Sequence, residues 1–82
     1  MYQTIGETVD VAGVFSHSRY TPKKFMWKKR VHIVETITYV ADIKNGQIPL
    51  RLYSVVSRGN VYRLEWNKNN DQWHLLEVWY EG

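Results

Sequence analysis

Apolar and polar residues alternate with a period of two along most of this chain, the pattern of strands buried on one face. The alternation is cleanest from Leu50 onward. Leu50–Ser57, Asn60–Asn67 and Gln72–Tyr80 predict three strands of an antiparallel meander. Arg58-Gly59 reads as a two-residue connection in which Gly59 is free to take positive φ. That spacing sets Tyr53 opposite Leu64 and Val55 opposite Tyr62. The polar run Lys68-Asn69-Asn70-Asp71 reads as a loop that sets Trp66 opposite Trp73 and Leu64 opposite Leu75, cross-strand pairs able to staple a sheet. One face then collects Tyr53, Val55, Tyr62, Leu64, Trp66, Trp73 and Leu75. The other collects Ser54, Arg63, Glu65 and His74, mixed with Val56, Leu76 and Val78.

The first half reads less cleanly. Thr8–Phe15 predicts a strand with Val9 and Val11 on one face, followed by a polar connection over Ser16–Pro22. A short helical turn around residues 16–24 stays open as an alternative. Lys24–Trp27 predicts a short strand with Phe25 and Trp27 on one side and Lys24, Met26 and Lys28 on the other. Val31–Ile43 reads as one long strand whose inner face holds Val31, Ile33, Ile37, Tyr39, Ala41 and Ile43. Glu35 interrupts that face, and a bulge near it would switch faces. Asn45-Gly46 signals a turn, and Pro49 restricts entry to the strand after it.

Five or six strands sharing one aromatic face must curl onto themselves, because no 3.6-residue period supplies a helical second layer. The expectation is an all-β chain forming a single small domain over residues 1–82. Its form would be a five- to six-stranded antiparallel curled sheet or an SH3-like barrel. Eighty-two residues leave no room for a second core. Four Trp, six Tyr and two Phe supply the buried area that so short a chain otherwise lacks.

Charge adds one feature to this picture. Of eleven Lys and Arg, six fall within residues 19–32, a stretch with no Asp or Glu. They are Arg19, Lys23, Lys24, Lys28, Lys29 and Arg30, interleaved with Tyr20, Phe25 and Trp27. Cations beside flat rings suit a nucleic-acid strand, phosphates to the cations and bases to the rings. Strand alternation divides the motif, however. It turns Phe25 and Trp27 into the core and leaves the cations in water, a surface suited to backbone rather than bases.

Other chemistry finds little support. There is no Cys, which fits a reducing cytoplasm and removes thiolate metal sites. His17, His32 and His74 lack metal-ligand spacing and read as partly exposed strand or loop residues. Ser16-His17-Ser18 sets a hydroxyl beside an imidazole, but neighbouring side chains seldom reach the geometry of nucleophile and base. Glu35 and Glu77 interrupt apolar faces and suggest an ion pair with Arg30 or Arg63. Trp79 and Tyr80 read either as core beside a closing edge or as a protein-binding patch. No signal peptide or membrane span is expected, and no cofactor or metal.

The pattern Phe25-x-Trp27-x-x-Arg30-x-x-x-Val34, with Ile37, Tyr62-Arg63-Leu64 and Trp73-His74-Leu75-x-x-Val78, resembles a small bacterial domain family of unknown function. Its members stand alone or lie near the C-terminus of a Y-family polymerase-like mutagenesis accessory protein. The resemblance covers roughly residues 22–79. It implies a mostly β module and an accessory role near DNA transactions, with no functional residues to carry over.

The function expected is therefore a non-catalytic, cytoplasmic binding module. It would take a protein partner, a second copy included, through a sheet edge or aromatic surface. The alternative is nucleic-acid binding through Arg19, Lys23, Lys24, Lys28, Lys29 and Arg30.

Overall fold

The computed structural model describes residues 1–81 of the chain. Seven strands form one antiparallel sheet: β1 (Tyr2–Ser16), β2 (Arg19–Trp27), β3 (Arg30–Ile33), β4 (Thr36–Asn45), β5 (Ile48–Ser57), β6 (Asn60–Asn67) and β7 (Gln72–Trp79). Their spatial order is β3-β2-β1-β7-β6-β5-β4. Among the described residues no helix is long and apolar enough to cross a membrane.

The all-β class is as expected, but seven strands replace five or six. The long segment Val31–Ile43 divides at Val34-Glu35 into β3 and β4. Val34 N–H donates to the Lys23 carbonyl of β2 at 2.9 Å, and Glu35 N–H donates to the Val56 carbonyl of β5 at 2.8 Å. Two consecutive residues thus tie together strands from opposite ends of the sheet, and this curls it. Glu35 also accepts a 2.8 Å hydrogen bond from Arg58 N–H, which fastens the β5–β6 turn.

Ser16–Pro22 is not a polar connection: Ser16 ends β1, Arg19–Pro22 belongs to β2, and only His17 and Ser18 lie between. Ser16 pairs with Arg19, and His17 and Ser18 make the turn at φ 53° and 60°. Two-residue turns of this hand favour Asn or Gly, so neither residue announced it. The turn before β3 is similar, with Lys28 and Lys29 at φ 53° and 62°. It pairs Phe25 with His32 and Met26 with Val31. Directly opposed residues share a face, so buried Phe25 carries His32 inside with it. The rings stack at 5.0 Å and 12°. This corrects two expectations: His32 is buried, while Val31 and Ile33 are exposed.

Lys23 is the extra residue of a bulge, since Ala12 pairs with Lys24 while Gly13 pairs with Pro22. The shift lets Pro22 and Phe25 both face inward. It also presses the strands together at Gly13, where a Cβ would run into the Thr21 carbonyl oxygen and lie 2.9 Å from Pro22 Cα.

The meander has the expected register, with Tyr53 opposite Leu64, Val55 opposite Tyr62 and Trp66 opposite Trp73. Trp66 and Trp73 stack at 5.5 Å and 4°. One further bulge pairs Leu64 with Leu75 but Arg63 with Glu77. It reverses the phase of β7, so Val78, expected on the outer face, is fully buried. Glu77 meets Arg63 at 3.2 Å, the pairing anticipated for one of the two interrupting carboxylates. Phe25 and Trp27 are buried as expected, edge-on to Tyr62 at 5.1 and 6.2 Å.

Candidate functional site

All six cations of the 19–32 segment are exposed. They do not form one patch. Arg19 and Trp27 bound a nine-residue strand, and eight steps of about 3.3 Å separate them by roughly 26 Å. Arg19 sits at one end of the curled sheet. Lys28, Lys29 and Arg30 sit at the other, with Lys23 and Lys24 between.

At the Lys28–Arg30 end Lys28 overlies the aromatic cluster. Lys28 Nζ lies 4.8 Å above the Trp27 ring. Trp27 and His32 both approach Tyr62, His32 at 5.2 Å. Trp27 Nε1 and His32 Nδ1 are buried without a hydrogen-bond partner. Burial holds the His32 imidazole below its usual value, and the nearby positive charges of Arg58 and Arg30 push the same way. Arg58, from the β5–β6 turn, therefore belongs to this basic end although it lies 28 residues from Arg30 in sequence. That distance is why sequence reasoning missed it.

The opposite end gathers a second aromatic group. Phe15, Tyr20, Trp66, Asp71 and Trp73 line an open cleft of about 430 Å³. Tyr20 lies 5.6 Å from both Trp66 and Trp73. Burial raises the Tyr20 phenol, with Tyr53 adding to the effect. Trp66 stands between its cross-strand neighbours Arg51 and Trp73. The Arg51 guanidinium lies 5.9 Å from its ring. Both faces of Trp66 are thus occupied, and Phe15 is the open ring of the group, 69% exposed.

Beside this cleft the sheet is open. β4 pairs on one side only, with β5. A bulge at Thr38, between Ile37 and Tyr39, turns Tyr39, expected inside, to the outer face. Val40 and Asp42 take the inner face opposite Tyr53 and Arg51. Asp42 accepts bonds from Arg51 Nε at 2.7 Å and Nη2 at 3.2 Å and meets Lys68 at 3.2 Å. Those bonds, Arg51's first, hold its carboxyl below the usual range. Residues 19–22 of β2 likewise pair only with β1. Between these two unpaired edges runs a seam of about 310 Å³ lined by Arg19, Val40, Ala41, Asp42, Arg51 and Tyr53. Tyr53 bridges it, its hydroxyl donating to the Tyr20 carbonyl at 2.9 Å.

The remaining candidates stay apart. Ser16 Oγ lies 3.0 Å from His17 Nδ1 on the exposed hairpin tip. No group of three His, Asp or Glu among the described residues could hold a metal ion. Trp79 pairs with Tyr2 of β1, their rings 4.8 Å apart, and Tyr80 donates to Gln3 Oε1 at 3.0 Å. β7 is an interior strand, so this end of the chain closes the sheet against β1.

Compared with protein-family models, curated proteins and solved structures, the chain gives no significant match.

Proposed function

We propose that this chain is a non-catalytic, cytoplasmic binding module that takes up a protein segment along the unpaired edge of β4. The observation carrying the reading is that edge itself. Ten residues run along it, with Tyr39 and Val40 half exposed and Ile43 beside them. An unpaired edge ten residues long is a template for strand addition, and the carboxylate on it, Asp42, is held by Arg51 and Lys68. On this reading the sheet is an SH3-like barrel left open between β2 and β4. A displayed random-peptide library, panned on the chain and on a Val40→Pro variant, tests it. Peptides recovered on the parent and lost on the variant support the reading; equal recovery on both overturns it. Light scattering over a concentration series separates a foreign segment from a second copy.

A second reading is favoured by the basic end, where Lys28, Lys29, Arg30 and Arg58 converge. The rings beneath them are buried, so contact would be to phosphates and not to bases. This is the site at which the accessory role near DNA, implied by the family resemblance, would operate. Its test is a titration of labelled single-stranded and duplex DNA at two salt concentrations. Affinity should fall steeply with salt and weaken in a Lys28→Glu/Lys29→Glu variant. Absence of binding at low salt removes the reading.

A further inference from the structure

We infer that the segment taken up is a single extended peptide bearing an acidic residue, seated in the seam between β4 and the first half of β2. The inference rests on the edge-binding reading and adds the place, stoichiometry and charge of the ligand. β4 and β5 meet in a two-residue hairpin closed by Asn45 and Ile48. The closing pair bonds to itself and the pattern alternates from there. Val40, Asp42 and Lys44 therefore turn their N–H and C=O groups into the seam, where a peptide backbone can take them.

The far wall offers no matching ladder. The Tyr20 carbonyl is already held by the Tyr53 hydroxyl, and Pro22 has no N–H to give. Proline is tolerated in a strand where its missing N–H faces an unpaired edge, and that is its place here. One added strand can thus pair with β4 while resting against β2. A seam that one tyrosine side chain bridges is too narrow for a folded domain to enter.

Charge sets the ligand's chemistry. Asp42, a single carboxylate, offsets one of the two positive charges of Arg51 and Lys68. Arg19, lining the same seam, pairs with no carboxylate among the described residues. The unmet charge facing a bound strand is therefore positive. Val40 and Tyr53, cross-strand neighbours on the inner face, supply the apolar contacts.

Peptides recovered from the library, resynthesised and titrated against the full chain, decide the matter. They should alternate apolar residues and carry Asp or Glu. Affinity should fall at least about tenfold in Val40→Pro, which removes a seam-facing N–H. It should fall about threefold in Arg19→Glu, which should in turn prefer the same peptide with Lys in place of its acid. Arg19 is exposed, so its charge reversal reports on the seam whether or not Val40→Pro keeps its fold. Peptides lost on Val40→Pro but indifferent to Arg19→Glu would overturn the seam assignment and leave edge binding standing. Peptides indifferent to both variants, or no peptides at all, would overturn both.

Discussion

The β5–β7 meander and the β1–β4 half place their apolar residues differently. Among the described residues, eight of the eleven buried hydrophobics come from β5–β7: Leu50, Tyr53, Val55, Tyr62, Leu64, Trp73, Leu75 and Val78. Of the twelve large hydrophobics left exposed among the same residues, nine lie on β1–β4, from Tyr2 to Ile43. One half therefore supplies most of the core. The other contributes Val9, Phe25 and Trp27 to it and spends the rest of its apolar side chains on surface, edge and cleft. Apolar surface that stability does not require is where binding is to be sought.

The contrast breaks most visibly under truncation. Leu64→Ala, at a fully buried position, should cost about 2–5 kcal/mol in chemical denaturation. Ile33→Ala, more than half exposed, should stay within about 0.5 kcal/mol. Equal costs would erase the distinction between the halves. Next in size is Gly13→Ala, expected to cost up to about 3 kcal/mol because its methyl group meets backbone on β2. A neutral result would mean that the β1–β2 bulge relaxes freely.

A smaller effect is expected at His32, where the halves meet. Its imidazole titrates below the usual 6.5, first because it is buried. Below that value the unfolded chain takes up a proton that the folded chain refuses, so stability falls as pH drops from about 6.5 and levels off once the folded form also titrates. Thermal melts of the parent should show this decline, and His32→Phe should flatten that part of it. An unchanged slope in His32→Phe would assign the decline elsewhere.

The smallest effect is expected at the basic turn. Lys29 sits at φ 62°, where a side chain costs about 1 kcal/mol relative to glycine. Lys29→Gly should raise the denaturation midpoint slightly while weakening any phosphate contact. A loss of stability would show that the lysine's interactions outweigh its backbone strain.

The same division governs what the sequence made legible. The meander's register followed from Arg58-Gly59 and from loop length, because both turns are spelled in residues that favour turns. Its one error, Val78, came from a bulge at Leu76 that no residue type marks. In the other half, His17-Ser18 and Lys28-Lys29 make tight turns without Gly or Asn, so two hairpins went unread and His32 with them. Thr38 and Lys23 bulge silently as well. The cations of residues 19–32 were visible from the start, but not their separation to opposite ends of the fold. Arg58 and the open β4 edge depend on contacts distant in sequence, and alternation alone carries no information about those.

Amide hydrogen exchange along β4 tests the central claim most directly. In the free chain the Val40 and Asp42 amides should exchange rapidly, while Ala41 and Ile43, bonded to β5, are protected. Saturation with a library-selected peptide should slow Val40 and Asp42 at least about tenfold, as a new backbone partner takes them up. Protection of Val40 and Asp42 in the dilute free chain, or exchange that the bound peptide leaves unchanged, would contradict an open edge that receives a strand.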